Sequence, residues 1–269
     1  MKQFISAVLV CFSLPILAND VQVDGTSIGI GEQYQFEYLS GFELINASLG
    51  QTERNGYFQI NPIFAGYNLV TLQTSQGPNI TCVDGGSTLK AHGFNNQAWE
   101  AFVKVDLPDN QIAFINHEGY YVSAQPDGTV LADRRNLGDW ETFTVQAVGG
   151  GVVKLLTYHG TYLKTQPGTC RLKSLINNGY LSPANCSSGV VYADTGYDGC
   201  ELTMFESGVF GQVILAGETG LHFQAYGGVG GDLWENGTAK GLNERITVTR
   251  TGPATVAVSI NGYYIRTLP

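Results

Sequence analysis

His117-Glu118-Gly119-Tyr120-Tyr121-Val122-Ser123-Ala124-Gln125-Pro126-Asp127-Gly128-Thr129-Val130-Leu131 is the stretch that decides the fold. Pro126-Asp127-Gly128 lies between two strand-like runs and supplies the fixed φ and the positive φ that a tight hairpin needs. Ile112 and Phe114 alternate before it, and Trp140-Glu141-Thr142-Phe143-Thr144-Val145 closes the stretch with another alternating run. Such alternation turns one face to a core and the other to water, the signature of a strand. The unit reads as about four short strands in roughly 40 residues.

The same unit recurs along the chain. Gly77, Gly119, Gly160, Gly220 and Gly262 are spaced by 42, 41, 60 and 42 residues, and Glu100, Glu141, Glu201 and Glu244 by 41, 60 and 43. Both series jump by 60 at the same place, so the chain reads as a repeat with one enlarged unit. Alternating pairs precede the glycines (Val70/Leu72, Ile112/Phe114, Val153/Leu155, Val213/Leu215, Val256/Val258). Tyr121, Tyr162 and Tyr264 follow two residues after their glycines and are expected in the core. With 35 glycines and little helical periodicity, a propeller, a trefoil and a solenoid are the candidates, and the lack of a blade signature favours the trefoil.

Gly119-x-Tyr121-Val122-x-Ala124, then Ala132-Asp133-Arg134 and Trp140-Glu141-x-Phe143, resembles the fascin-like β-trefoil repeat within the wider fascin-like and ricin-like superfamily. The best match covers residues 112–145, and Ala98-Trp99-Glu100-Ala101-Phe102 repeats its end. The resemblance implies a fold; such modules serve actin-bundling proteins and secreted glycan-active proteins alike, so it implies little about activity.

The last unit stops half a repeat short, and Gly31-Glu32-Gln33-Tyr34-Gln35-Phe36 supplies a closing strand. A shortened unit over residues 42–60 completes the count. The expected architecture is therefore all-β: two β-trefoils from six four-stranded repeats, one repeat completed by both termini. Pro108 and Pro253 suggest crossing points, giving one trefoil over 21–109 plus 253–269. The other covers 110–252, with a cysteine-containing insertion at 164–200.

Residues 1–18 have the basic start, apolar stretch and Ala18 of a cleavable secretory signal peptide, which predicts a secreted or periplasmic protein. Loss of Lys2 with that leader moves the net charge from −9 to −10, which disfavours nucleic acid and anionic membrane as partners. Cys82, Cys170, Cys186 and Cys200 remain, an even set in an oxidising compartment, and two of the last three are expected to pair.

No nucleophile elbow, zinc-protease helix or phosphate loop is present, so no catalytic residue and no cofactor are expected. Asp194 and Asp198 sit in a stretch that resembles a calcium loop without its full spacing; a polar surface loop is the plainer reading. Tyr120 and Tyr263 are one residue out of core phase and point to solvent. Tyr120 with His117, Asn136 and Asp139 can offer a ring face and polar groups to a sugar, and Trp234 is a further exposed candidate. Trp99, in phase with Trp140, is assigned to the core. Asn46, Asn79 and Asn236 open glycosylation triplets.

The expected function is a secreted, non-enzymatic binder of glycans or a cell-surface partner, of undetermined oligomeric state. A protein-directed binder, such as a protease inhibitor or host-interaction factor acting through the 164–200 loop, is the alternative. A fascin-like actin binder is a weaker one.

Overall fold

The computed structural model describes residues 19–23, 33–46, 56–83, 87–94, 96–187, 189–194, 199–225, 233–238, 244–252, 255–261 and 263–267. Residues 1–18, Glu32, Asp198, Pro253 and Gly262 lie outside these residues. The described chain is all-β, with short 3-10 turns, and no helix in it is long and apolar enough to cross a membrane.

Six strands close a first barrel: β4 (Tyr57–Pro62), β5 (Leu69–Thr74), β8 (Phe102–Leu107), β9 (Gln111–Ile115), β12 (Phe143–Gly149) and β13 (Val152–Thr157). Each is antiparallel to the next, and β13 returns to β4. Three hairpins attach to it: β6 (Asn79–Cys82) with β7 (Leu89–Gly93), β10 (Tyr121–Ala124) with β11 (Val130–Arg134), and β14 (Leu163–Thr165) with β3 (Leu44–Asn46).

A second ring repeats the plan. β2 (Gln33–Ser40), β15 (Gly168–Ser174), β18 (Leu202–Glu206), β19 (Gln212–Ala216), β22 (Ile246–Arg250) and β23 (Val256–Ile260) pair around a closed circuit. Its hairpins are β16 (Tyr180–Pro183) with β17 (Gly189–Asp194), β20 (His222–Ala225) with β21 (Leu233–Gly237), and β24 (Tyr263–Thr267) with β1 (Asn19–Val23). The N-terminal strands thus complete the repeat that the C-terminal strands begin.

The ladders break elsewhere than at Pro108 and Pro253. β8 and β9 pair straight across Pro108, where Asp109 and Asn110 both take φ 57°, as a two-residue hairpin turn of the I′ kind requires. β22 and β23 likewise pair with each other, with Arg250 opposite Val256. Nor is 164–200 an insertion. Residues from Gly168 onward form the complete repeat β15–β18, while β13 and β14 are half a repeat whose other half is β3 and β4. The 60-residue gap is therefore one repeat plus half of another, and Asn178 (φ 60°) occupies the missing turn position.

Six-fold phase governs the cores. The inward residue after each turn is Ile80, Val122, Leu163, Leu181, Phe223 or Ile265, each at most 1 % exposed. This corrects the assignment of Tyr121, Tyr162 and Tyr264 to the core: each lies one residue before these and is only half-buried. Phe102, Phe114 and Phe143 meet in the first barrel at ring separations of 6.4 and 6.2 Å. Cys170 and Leu172 are the opening pair of the hidden repeat, and Cys82 takes the small-residue position that Ala124 takes in its own unit. Both cysteines are therefore buried for size and shape rather than bridged; the disulfide joins Cys186 to Cys200. Trp99, expected inside, is 51 % exposed.

The two barrels meet at a buried polar contact. Glu206 of β18 accepts from the Gly56 amide at 3.0 Å and from the Thr165 hydroxyl at 2.8 Å, and Gln76 Nε2 donates to that hydroxyl at 2.6 Å. Burial pushes the Glu206 carboxyl up to about 7, against the opposing pull of the Thr165 and Gly56 hydrogen bonds and of Lys164. The folded protein then holds this proton more tightly than the unfolded chain does. The stabilising contribution is complete below the ordinary value of 4.5 and is lost as pH rises through about 7. In denaturant titrations across that window, Glu206→Gln is expected to flatten the pH dependence by about 3 kcal/mol relative to the parent. Parallel curves for the two proteins would refute the assignment.

Candidate functional site

Four units share one turn, at the surface in three of them. The amides of Thr74, Asn116, Thr157 and Gly217 donate to the carbonyls of Pro78, Tyr120, Thr161 and Leu221, and the amides of Gly77, Gly119, Gly160 and Gly220 donate back. These glycines lie at φ between 73° and 104°, a region that L side chains rarely occupy. Each turn holds out the two side chains ahead of its glycine: Ser75/Gln76, His117/Glu118, Tyr158/His159 and Glu218/Thr219. The first pair is buried and the others sit at the surface.

At the second turn, His117 is exposed, with Nε2 3.9 Å from the Glu118 carboxylate. Tyr120 is half-buried. The Arg135 guanidinium lies 5.3 Å from the centre of its ring and donates to its hydroxyl at 3.1 Å. Arg135 therefore stands over one face of the ring that was assigned to a sugar, and sequence reasoning missed it because the arginine reaches back from beyond β11. Asn136 and Asp139 are exposed on the segment that follows, and no described hydrogen bond ties either to Tyr120. Trp234 and Tyr263 have only their backbone pairing described, Trp234 opposite Gln224 and Val190, Tyr263 opposite Ile260. Asp194 pairs with Tyr180 through its backbone. Among the described residues no three His, Cys, Asp or Glu side chains come together as a metal site. Asn79, of the glycosylation triplets, is buried.

The fourth turn borders a cleft of about 400 Å³ on the second barrel, lined by Thr169, Glu201, Thr203, Phe205, Glu218 and His222 beside the Gly217 backbone. Thr169 and Thr203 are cross-strand partners, and the Phe205 and His222 rings stand 6.5 Å apart. Behind Gly217 lies Glu235, fully buried, with one oxygen accepting from Thr219 and Oε2 without a described hydrogen-bond partner. Burial raises its carboxyl pKa; the Thr219 hydrogen bond opposes this and the neighbouring Glu218 adds to it.

Sequence reading missed this cleft because it counted Glu201 with Glu100, Glu141 and Glu244. Those three are buried two residues before Phe102, Phe143 and Ile246, and Glu100 caps the Gln97 amide and the Thr81 hydroxyl. Two residues before Leu202 stands Cys200, drawn into the disulfide. Glu201 is one position out of phase and consequently faces solvent.

No protein-family model matches the sequence, and no curated protein matches it. Among solved structures, a chain described under "Structure and mode of action of a mosquitocidal holotoxin" is similar, with a TM-score of 0.28 and 11 % identity. The match covers 90 % of this chain and 40 % of that one, so this protein spans less than half of its length. At that TM-score the likeness assigns neither a fold nor an activity.

A Cβ on Gly217 would stand 2.1 Å from Glu235 Oε2. Gly217→Ala is therefore expected to displace the buried carboxylate and cost about 1–3 kcal/mol in denaturant unfolding. An unchanged midpoint would show that the Glu235 pocket has slack.

Proposed function

We propose that the chain is an exported, non-enzymatic binding protein of two β-trefoil domains, residues 44–165 and residues 19–40 with 168–267, that recognises glycans on a cell or matrix surface. Two closed six-stranded rings with three hairpins each support the trefoil reading. Export is supported by the leader-like residues 1–18 together with the Cys186–Cys200 disulfide. The recurring acids Glu100, Glu141 and Glu244 are buried, and Glu100 holds the Gln97 amide and the Thr81 hydroxyl, which suits a structural use.

The observation that carries the binding reading is the shared turn. One backbone geometry presents different polar and aromatic pairs on rigid supports, and several weak sites so displayed can act together. The protein-directed alternative rested on a protruding 164–200 loop. Most of that segment's described residues lie in paired strands, β15, β16 and β17, so no observation favours that alternative.

A glycan array probed with the mature protein is expected to return bound glycans, and Tyr120→Ala to weaken at least one bound class by about tenfold. A blank array would overturn the glycan reading.

A further inference from the structure

We infer that the cleft between β15, β18 and the 217–220 turn is a binding site for a sugar that carries a protonated amine. The inference rests on the glycan reading above and adds the site and the ligand class. The cleft, at about 400 Å³, lies within the usual range for small-molecule sites.

Charge decides the class of ligand. Glu201 and Glu218 line the cleft, Glu235 lies behind its Gly217 wall, and no lysine or arginine is among the lining residues. Burial first, and the like charge of Glu218 in the same sense, make Glu235 hold its proton more tightly, against the Thr219 hydrogen bond. A hydroxyl ligand can donate to Glu201 or Glu218 but leaves their negative charge uncompensated; an ammonium group donates and compensates it. The wider field acts in the same sense, since the whole chain carries a formal charge of −9.

Shape fits the rest of such a ligand. The Phe205 and His222 rings offer apolar faces to the C–H side of a pyranose, and an aromatic face also attracts an ammonium. Thr169 and Thr203 stand opposite each other on neighbouring strands; the Thr169 hydroxyl shares a hydrogen bond with Ser40 at 2.8 Å and, with that of Thr203, can meet ring hydroxyls. Three ligating side chains do not converge, so a bare metal ion lacks a cage here, whereas an amine on a rigid ring reaches the carboxylates one at a time.

The test compares a β-1,4-glucosamine tetramer with its fully N-acetylated counterpart by isothermal titration calorimetry on the full mature protein, at mildly acid pH and two salt concentrations. The free-amine tetramer is expected to bind, the acetylated one at least about tenfold more weakly, with affinity falling as salt rises. Glu201→Gln and Glu218→Gln are each expected to weaken the free-amine tetramer by about tenfold. Both residues are exposed, so the variants should keep the parent's melting temperature, which is measured alongside. Equal binding of the two tetramers, with both variants impaired, would keep the glycan reading and the cleft but overturn the amine. Glycan binding on the array that neither variant affects would overturn the cleft. Failure of both tetramers together with a blank array would overturn this inference and the glycan reading alike.

Discussion

Both barrels close only because strands from early in the chain fill gaps left by later ones. β4 seals the first ring by pairing with β13, and β2 seals the second by pairing with β15 and β23. Closure removes the exposed edges that would otherwise template pairing with another chain. It also fixes the inward phase of every strand, because a slip by one residue would turn Leu72, Phe114 or Val258 to solvent. The turns, and the side chains they display, inherit their positions from this closure.

The contact between the barrels is chemically different from their cores. Glu206 enters a polar pocket made by Gly56, Thr165 and Gln76, with the Tyr38 hydroxyl donating to the Gln76 carbonyl at 3.4 Å. Nearby, Arg250 of the second barrel covers the Phe94 ring at 5.6 Å, and Phe94 in turn packs on Tyr38 at 5.6 Å. A polar junction of this kind specifies orientation through hydrogen-bond geometry, where an apolar one would tolerate sliding.

Much of the fold was legible because its constraints act on single residues at fixed spacing. A positive φ calls for glycine, so Gly77, Gly119, Gly160 and Gly220 announced four turns. Where asparagine does the same work, as at Asn178, the signal vanished and a whole repeat was misread as an insertion. Short-range alternation identified strands but not which strands pair, and proline was a poor guide to the crossing points because a hairpin turn accepts it readily. The site was less legible still. Arg135 reaches Tyr120 from another strand's end, and Glu201 faces outward because Cys200 took its expected place; neither fact is carried by local pattern.

The nesting of the strands also sets an order of assembly. Everything needed for the first barrel lies between β3 and β14, so that ring can close as soon as this middle stretch is free to fold. The second ring must hold β2 in waiting until β23 arrives, more than 200 residues later. Loop closure over such a span is slow. During synthesis, an open-edged strand would therefore trail a finished barrel, and that interval is when the molecule is most exposed to strand exchange with its neighbours.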